Sequence, residues 1–370
     1  MKIGLDLHVV DGLFQGSRTH VIELFSRVAK ICPEYEFVAL LDGVETLKRD
    51  YPGFDLPNVS VEKLKHTGPI KRLLWELPRL QRSLKLDLLH LQYILPMPSL
   101  CPTMVTIHDV LFESHPEYFT KFFRLRSQVF MRIAAQQAQH VFTVSEFSKR
   151  EICVRYGMKT EAVTVTPNSA DFSKFYPGTD GHDFLLKRGL KSQGYLLTVG
   201  RLEPRKNQVT LLKAYVNLGP TAPPLVIVGQ RDFGFEEMLA TVADSDARTR
   251  IFILENVGDK ELPALYRNCL AFAYPSLAEG FGMPPLEAMA SGVPVIAADN
   301  TGLTEVVGAA GLLINSHDVS GLSSALSSVC SNPSLRESLI AKGLVQAKSF
   351  SWDSSALAVA DQYRKFAATL

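Results

Sequence analysis

The chain lacks any pronounced excess of one charge: 39 Lys and Arg stand against 38 Asp and Glu in 370 residues. No whole-chain field argues for nucleic acid or an acidic polymer as partner, so any charge signal must be local. Its five cysteines, Cys32, Cys101, Cys153, Cys269 and Cys330, are few, odd in number and free of Cys-x-x-Cys spacing. That argues against a disulfide framework or a zinc knot and makes a reducing cytoplasm the simplest home. No apolar run approaches the ~20 residues that a membrane span requires. The opening "MKIGLDLHVV" places Asp6 inside its apolar run and has no small-residue cleavage site, so it reads as a first strand rather than a signal peptide. Fixed repeats and low-complexity tracts are also missing.

What is present is hydrophobic content of 46%, enough to fill the cores of about two domains at ~150 residues each. Strand-like runs alternate with helical periodicity throughout, the pattern of a parallel sheet covered on both faces, so the class is α/β. The first series of strands is "KIGLDL", "YEFVALL", "VSVEKL", "LLHLQ", "TMVTI" and "HVFTV". Between them, Val21, Leu24, Phe25 and Val28 follow the i, i+3, i+4, i+7 rule for one apolar helix face. Pro, Gly and polar residues interrupt the pattern at "FSKFYPGTDGHDF", and a second series begins at Tyr195: "YLLTVG", "PLVIVG", "RIFIL", "LAFAYP", "VPVIAA" and "GLLI". The expected domains are residues 1–174 and 175–349. Two open α/β sheets in one chain usually meet at a cleft facing the C-terminal ends of their strands, where ligands bind.

The most informative stretch is "SLAEGFGMPPLEAMASG", residues 276–292. Pro284 and Pro285 suit the first turn of a helix that stops near Gly292, which puts Glu287 in that first turn. A carboxylate there is favoured by the helix dipole for structural reasons alone, or it accepts two ribose hydroxyls. Glu279 lies in the preceding loop beside Gly280 and Gly282, whose missing side chains let a ligand approach the backbone, and N–H groups at such a helix start suit an anion. A turn that merely needs two glycines is the plainer alternative. In "YLLTVGRLEPRKNQVTLLKAY", Arg201 and Lys206 follow a strand and precede a helix beginning near Asn207. Arg as planar fork and Lys as mobile point charge are suited to a diphosphate, although exposed loop charges are common.

In "DGLFQGSRTHV", Gly12 and Gly16 flank a loop and Ser17 is placed to cap the next helix. The spacing is not the three-glycine dinucleotide fingerprint, and the following strand is read as ending without an acidic residue, which disfavours a nicotinamide-dependent dehydrogenase. His108 and Asp109 end the strand "TMVTI"; a lone His is commonly structural, but a strand's C-terminal end is also where catalytic groups stand. Asp244 and Asp246 have the Asp-x-Asp spacing of metal-dependent sugar transferases, yet they follow a helix and precede a strand, so they read as a solvated loop. The basic segment 63–85 carries Lys63, Lys65, Lys71, Arg72, Arg79, Arg82 and Lys85 against Glu62 and Glu76, with Trp75 and leucines between. It reads as a solvated helix face, or as a contact to an anionic membrane surface or acceptor.

Taken together, these residues resemble the retaining nucleotide-sugar glycosyltransferases of family 4, with the GT-B fold of two Rossmann-like domains facing each other across a cleft. The resemblance covers nearly the whole chain and is strongest from "VGRLEPRKN" through "YPSLAEGFGMPPLEAMASGVPVI", with "TIHD", "TVSEFSKRE" and "VTPN" in order. It implies that Arg201 and Lys206 hold the donor diphosphate and Glu287 the ribose hydroxyls. Glu279, with the backbone of Phe281 and Gly282, would meet the hexose 3- and 4-hydroxyls, and His108 its 6-hydroxyl region. Gly16 would line the phosphate side, and Asn256 and Val257 would border the base. The family's first loop often carries adjacent glycines, whereas here Gln15 precedes Gly16. The resemblance also implies that a final helix, residues 350–370, completes the first domain.

The expected reaction is transfer of a hexose, with UDP-glucose the favoured donor and GDP-mannose the alternative, onto a saccharide or lipid-linked saccharide in polysaccharide biosynthesis. Metal-independent chemistry is expected, because the cations and helix start would take over a metal's task at the leaving phosphate, with no other cofactor and no nucleic-acid partner. A nucleotide-sugar epimerase or hydrolase, and a non-catalytic nucleotide- or glycan-binding scaffold, are the rival readings. The expected location is the cytoplasm, with peripheral contact to the inner face of the membrane through 63–85 left open.

Overall fold

Thirteen strands assemble into two parallel sheets in the computed structural model, which describes residues 1–11, 16–65, 68–232 and 234–370. The chain divides into two compact units, Met1–Asn168 together with Ser351–Leu370, and Ser169–Phe350. The division thus falls six residues before the expected 174/175 boundary. Gly12 and Gln15 lie outside the described residues.

Unit 1 holds a seven-stranded sheet in the order β3-β2-β1-β4-β5-β6-β7. The strands are β1 (Lys2–Asp6), β2 (Glu36–Leu41), β3 (Val59–Lys63), β4 (Leu88–Gln92), β5 (Thr103–Thr106), β6 (His140–Thr143) and β7 (Val163–Val165). Side chains alternate between the two faces with the period of two that a strand imposes. Phe37, Ala39, Leu41, Leu88, Met104 and Phe142 pack under the first helix, Gly16–Ile31, and the last, Trp352–Ala367. Val38, Leu40, Leu89, Leu91, Val105 and Val141 pack under Leu77, Met131, Ala134, Ala135 and Ile152 on the opposite face. Val21, Leu24, Phe25 and Val28 are fully buried, which is why the 3.6-residue spacing forms a helix there.

Unit 2 holds a six-stranded sheet in the order β10-β9-β8-β11-β12-β13, built from β8 (Leu196–Val199), β9 (Leu225–Val228), β10 (Ile251–Leu254), β11 (Ala271–Tyr274), β12 (Val295–Ala298) and β13 (Leu312–Ile314). In both sheets the strand order reverses direction once, between β1 and β4 in unit 1 and between β8 and β11 in unit 2. Those switch points are where neighbouring crossovers diverge and leave a crevice at the strand ends.

Two sequence expectations change here. Asp42 follows β2 directly, 3.6 Å from the Lys63 ammonium, so the strand does end at an acidic residue and only the glycine spacing speaks against a dinucleotide fingerprint. Ser17 lies within the first turn of Gly16–Ile31 rather than capping it, and its hydroxyl is hydrogen-bonded to Tyr93.

Candidate active site at the switch points

In unit 2 the residues after β8 and those after β11 converge. Lys206 ends a 3-10 turn, Pro204–Lys206, that follows β8. Its Nζ donates to the Tyr274 hydroxyl at 2.8 Å and to Glu279 Oε1 at 2.6 Å. Tyr274 and Ser276 hydroxyls donate to the same Oε1 at 2.9 and 2.6 Å, and Arg205 Nη1 stands 3.1 Å from Oε2. The loop is braced from behind: the Glu279 N–H donates to Thr301 Oγ1, and Asn300 Nδ2 donates to the carbonyls of Ser276 and Leu277. Asn207, in the left-handed region at φ 56°, ties the β8 loop to the carbonyls of Pro275 and Ser316.

Burial alone would raise the Glu279 carboxyl, but Lys206 and Arg205 outweigh it and hold it at about 2. Burial pushes the Lys206 ammonium below the ordinary lysine range, with Glu279 pulling the other way. Lys206 is therefore a fixed member of a buried ion cluster and not the mobile point charge expected of it. A carboxylate has about four acceptor sites, so what remains for a sugar hydroxyl lies on Oε2.

Glu287 corrects another expectation. The helix is Met283–Ala290, capped by Gly282, which puts Glu287 in the second turn, beyond the strongest reach of the helix dipole. The half-buried carboxyl is pushed up to about 7 by desolvation, offset in part by the Tyr266 hydroxyl and by Lys174. The helix start is also a poorer anion site than expected, because Pro284 and Pro285 carry no N–H and leave Met283 as the one donor among the first three helical residues. Gly282, at φ 118°, has no alternative residue: a Cβ would meet Leu303 Cδ2 at 2.7 Å. Phe281 is buried edge-on against Phe350.

Arg201 is half-exposed, and its Nη2 lies 2.6 Å from Asp232 Oδ2. Asn256, also in the left-handed region, accepts from Gln230 Nε2 at 3.0 Å, next to Val257 after β10. The neighbouring Glu255 lies 2.7 Å from Arg231 Nε. Asp246 opens a turn, Asp246–Arg250, that leads into β10, at the opposite end of that strand from Glu255. Among the described residues no group of three His, Cys, Asp or Glu is arranged to hold a metal ion.

Unit 1 presents different chemistry at its own switch point. His108 Nε2 is paired with Gln92 Oε1 at 3.0 Å, and its ring packs edge-on against His20 and tilted against Tyr93. His20 Nδ1 is held by Asn168 Oδ1 at 2.8 Å. Burial, and then His20, depresses the His108 imidazole well below the ordinary range, so it is neutral at pH 7. Gly16 is exposed, and among the described residues none stands within 4 Å of where its Cβ would be.

Sequence reasoning missed Arg205, Asn207, Ser276, Tyr274 and Thr301. Arg205 and Asn207 flank Lys206 in "RKN", and their chemistry was legible there; Arg205 pairs locally with Glu203, but the partners that tie both residues to the loop after β11 lie far away in sequence.

A buried cation–carboxylate cluster at the strand ends beside a switch point, where open α/β sheets bind ligands, defines the class as an α/β protein with a candidate ligand site there. The model of Glycosyltransferase Family 4 matches residues 14–174, and that of Glycosyl transferases group 1 matches residues 187–345. O-antigen chain mannosyltransferase B of Escherichia coli is 35% identical over 266 residues, covering 70% of each chain. O-antigen chain mannosyltransferase RfbU of Salmonella typhimurium is 29% identical over 233 residues, covering 63% of this chain and 62% of its own. Among solved structures, sucrose-phosphate synthase of Thermosynechococcus elongatus superposes with a TM-score of 0.79 at 21% identity over 100% of both chains. Anabaena HepE, in complex with UDP and glucose, does so with a TM-score of 0.77 at 21% identity over 99% of this chain and 100% of its own. The chain belongs to glycosyltransferase family 4, has the GT-B fold and is a hexosyltransferase.

Proposed function

We propose that this enzyme transfers a mannosyl residue from GDP-mannose to a growing saccharide in polysaccharide biosynthesis, with retention at the anomeric carbon and without a metal ion. The observation that carries the donor site is the convergence of Lys206, Arg205 and Glu279 at the β8/β11 switch point. Arg201 and Lys206 meet the diphosphate, whose charge grows as the sugar departs, and positive groups fixed in advance are worth most at such a developing charge. Glu279 Oε2 accepts from hexose hydroxyls, with the Phe281 and Gly282 backbone alongside, and Glu287 accepts from the ribose. His108, a neutral imidazole, hydrogen-bonds the hexose 6-hydroxyl region. Gly16 lines the phosphate side, and Asn256 and Val257 border the base.

Mannose replaces the expected glucose because relatives named mannosyltransferases in Escherichia coli and Salmonella typhimurium support it. Guanine is supported by Glu255, a carboxylate beside the base-bordering pair. Guanine offers adjacent N1–H and N2–H donors to a carboxylate, whereas uracil offers a single N–H between two carbonyls.

A thermal-shift panel of guanosine, uridine and adenosine diphosphates and their hexose conjugates, with and without EDTA, tests this. A ligand at ~100 times its dissociation constant adds about 2.7 kcal/mol. GDP and GDP-mannose are expected to stabilise most, unaffected by EDTA, with Glu255→Gln erasing the preference over UDP. Stabilisation by UDP-glucose alone would replace mannose with glucose, and no shift with any ligand would make the chain a scaffold. Donor consumed without acceptor would make it a hydrolase or epimerase, and a product of inverted anomeric configuration by NMR would overturn retention.

A further inference from the structure

We propose that the outer face of unit 1's helical layer, formed by residues 69–83 and by the helix Lys121–Gln137, seats this enzyme on an anionic membrane surface. Both segments pack against the same face of the unit 1 sheet, through Leu77 and through Met131, Ala134 and Ala135, so their outward sides point away from the sheet in the same direction.

The helix Lys121–Gln137 has two apolar faces where a solvated helix has one. Ser127, Met131, Ala134 and Ala135 face the sheet. Phe122, Leu125 and Val129, spaced i, i+3 and i+7, form a second stripe that is 78%, 66% and 55% exposed. At about 100° per residue the two stripes lie nearly opposite one another. The same rotation places Lys121 and Arg132 along one border of the outer stripe and Arg126 along the other. The helix contains four cations and no Asp or Glu in 17 residues.

Residues 69–83 repeat the arrangement through a π-helical stretch, Arg72–Glu76. Its two inward charges are accounted for: Arg72 is buried with Nη1 4.0 Å from Asp6, and Glu76 is buried, accepting from the Lys65 N–H. What remains outside is Ile70, Leu74 and Trp75, the last 75% exposed, among Lys71, Arg79 and Arg82. Among the described residues no carboxylate pairs with Lys71, Arg79, Arg82, Lys121, Arg124 or Arg126. A third helix of this layer, Glu146–Tyr156, also exposes an apolar residue, Val154, but carries Glu146 and Glu151, the latter paired with Arg155. That balanced composition is what a water-facing helix shows.

Apolar stripes of this size, rimmed by one sign of charge, mark interaction sites on soluble domains. Aromatic and aliphatic side chains that enter the headgroup boundary, with flanking Lys and Arg on lipid phosphates, are the chemistry of an interfacial helix. A single protein partner would have to supply acidic groups around both stripes, whereas an anionic bilayer offers lipid phosphates to every bordering Lys and Arg and an apolar layer to the side chains between them. No helix among the described residues is long and apolar enough to cross a membrane, so the contact is peripheral. It stands independently of the donor assignment.

The test is co-sedimentation of the full chain with vesicles of phosphatidylcholine alone and with about one third phosphatidylglycerol. Binding is expected to the anionic vesicles only, falling with salt. Each of Lys121→Ala, Arg126→Ala and Arg132→Ala should weaken it about fivefold. Phe122→Glu with Leu125→Glu should abolish it while leaving the thermal midpoint and nucleotide-induced shift unchanged, since both side chains are solvent-exposed. Failure of the wild-type chain to bind, equal binding to neutral vesicles, or unaltered binding by the double variant would overturn the proposal. So would self-association in sedimentation velocity that the double variant removes, which would assign the face to a second copy.

Discussion

Among the described residues unit 1 buries four histidines, His20, His90, His108 and His140, whereas those of unit 2, His182 and His317, are both exposed. Unit 2 buries a cation–carboxylate cluster at its switch point, with Lys206 and Glu279 2.6 Å apart; the nearest equivalent in unit 1, Arg72 and Asp6, is separated by 4.0 Å. The two sheets share one winding and one placement of the crevice, yet fill it with different chemistry. Neutral imidazole, amide and phenol groups suit hydroxyls that carry no charge. Fixed cations suit a phosphate whose charge grows during reaction. The fold sets where ligands bind in each sheet, and the buried polar groups set the chemistry offered there.

The comparison breaks most visibly at Lys206. Lys206→Ala leaves Glu279 buried beside a single cation, Arg205, and should cost about 3–5 kcal/mol of stability. Turnover should fall ~100-fold or more from the loss of a preorganised charge. The double variant Lys206→Met with Glu279→Gln removes both charges and should recover most of the stability but none of the turnover. Denaturant unfolding and donor turnover measured together check this, and near wild-type turnover in the double variant would reduce the cluster to a structural device.

Acid should separate the units next. His20, His90 and His140 are depressed by burial to about 4, 3 and 4 from an ordinary 6.5. Their neutral forms contribute stability that is present above 6.5 and lost as pH falls through those values, a few kcal/mol per group by pH 4. Glu279, held at about 2 against 4.5 unperturbed, keeps its contribution until pH drops below 4.5. Glu287 has the opposite sign, since a raised carboxyl favours the fold most at mild acid. Hydrogen exchange between pH 7 and 4.5 should therefore show unit 1 losing protection first. Simultaneous loss in both units would mean that they unfold as one.

The strands were readable because buried parallel strands are short β-branched and aromatic runs, and twelve of the thirteen stand in the sequence that way. The exception, β7, is three residues long, with Thr164 and Val165 only half-buried at the sheet edge, too short to show a period. The candidate residues were legible where type and local spacing carry the signal, as at Glu279 and Glu287. Their states were not, because those are set largely by residues from other elements: Tyr266 and Lys174 act on Glu287, and Lys206 and Arg205, from the loop after β8, act on Glu279 alongside its near neighbours Tyr274 and Ser276. Local reasoning also misjudged the helix start at Met283, since it weighed proline as a helix-initiating residue and overlooked the donors that two prolines remove.

A finer test of charge against neutrality lies within unit 2, at Glu287. If Glu287 accepts from the ribose hydroxyls, as proposed, donor binding should favour its ionised form, draw its carboxyl down from about 7 and release a proton. Affinity for a nucleoside diphosphate sugar should then rise about tenfold between pH 6 and 8, inflecting near 7. Calorimetry in buffers of different ionisation enthalpy would reveal the proton. A Glu287→Gln variant with the same pH dependence would assign it to another group.

The smallest expected effect concerns Arg201, whose guanidinium is already occupied by Asp232 at 2.6 Å. On the proposed donor assignment a diphosphate takes that place, so Asp232 would compete with the donor for the same donor hydrogens. Because the pair is half-exposed, solvent screens it, and such pairs contribute ~0.2–1 kcal/mol. Asp232→Asn should accordingly tighten donor binding by up to about fivefold, a gain that fades at high salt as the Debye length shrinks. Weaker binding in that variant would give Asp232 the opposite role, holding the guanidinium in the orientation from which it meets the phosphate. Unit 2 would then be charged throughout for positioning, and the contrast with the neutral groups of unit 1 would rest on the Lys206 cluster alone.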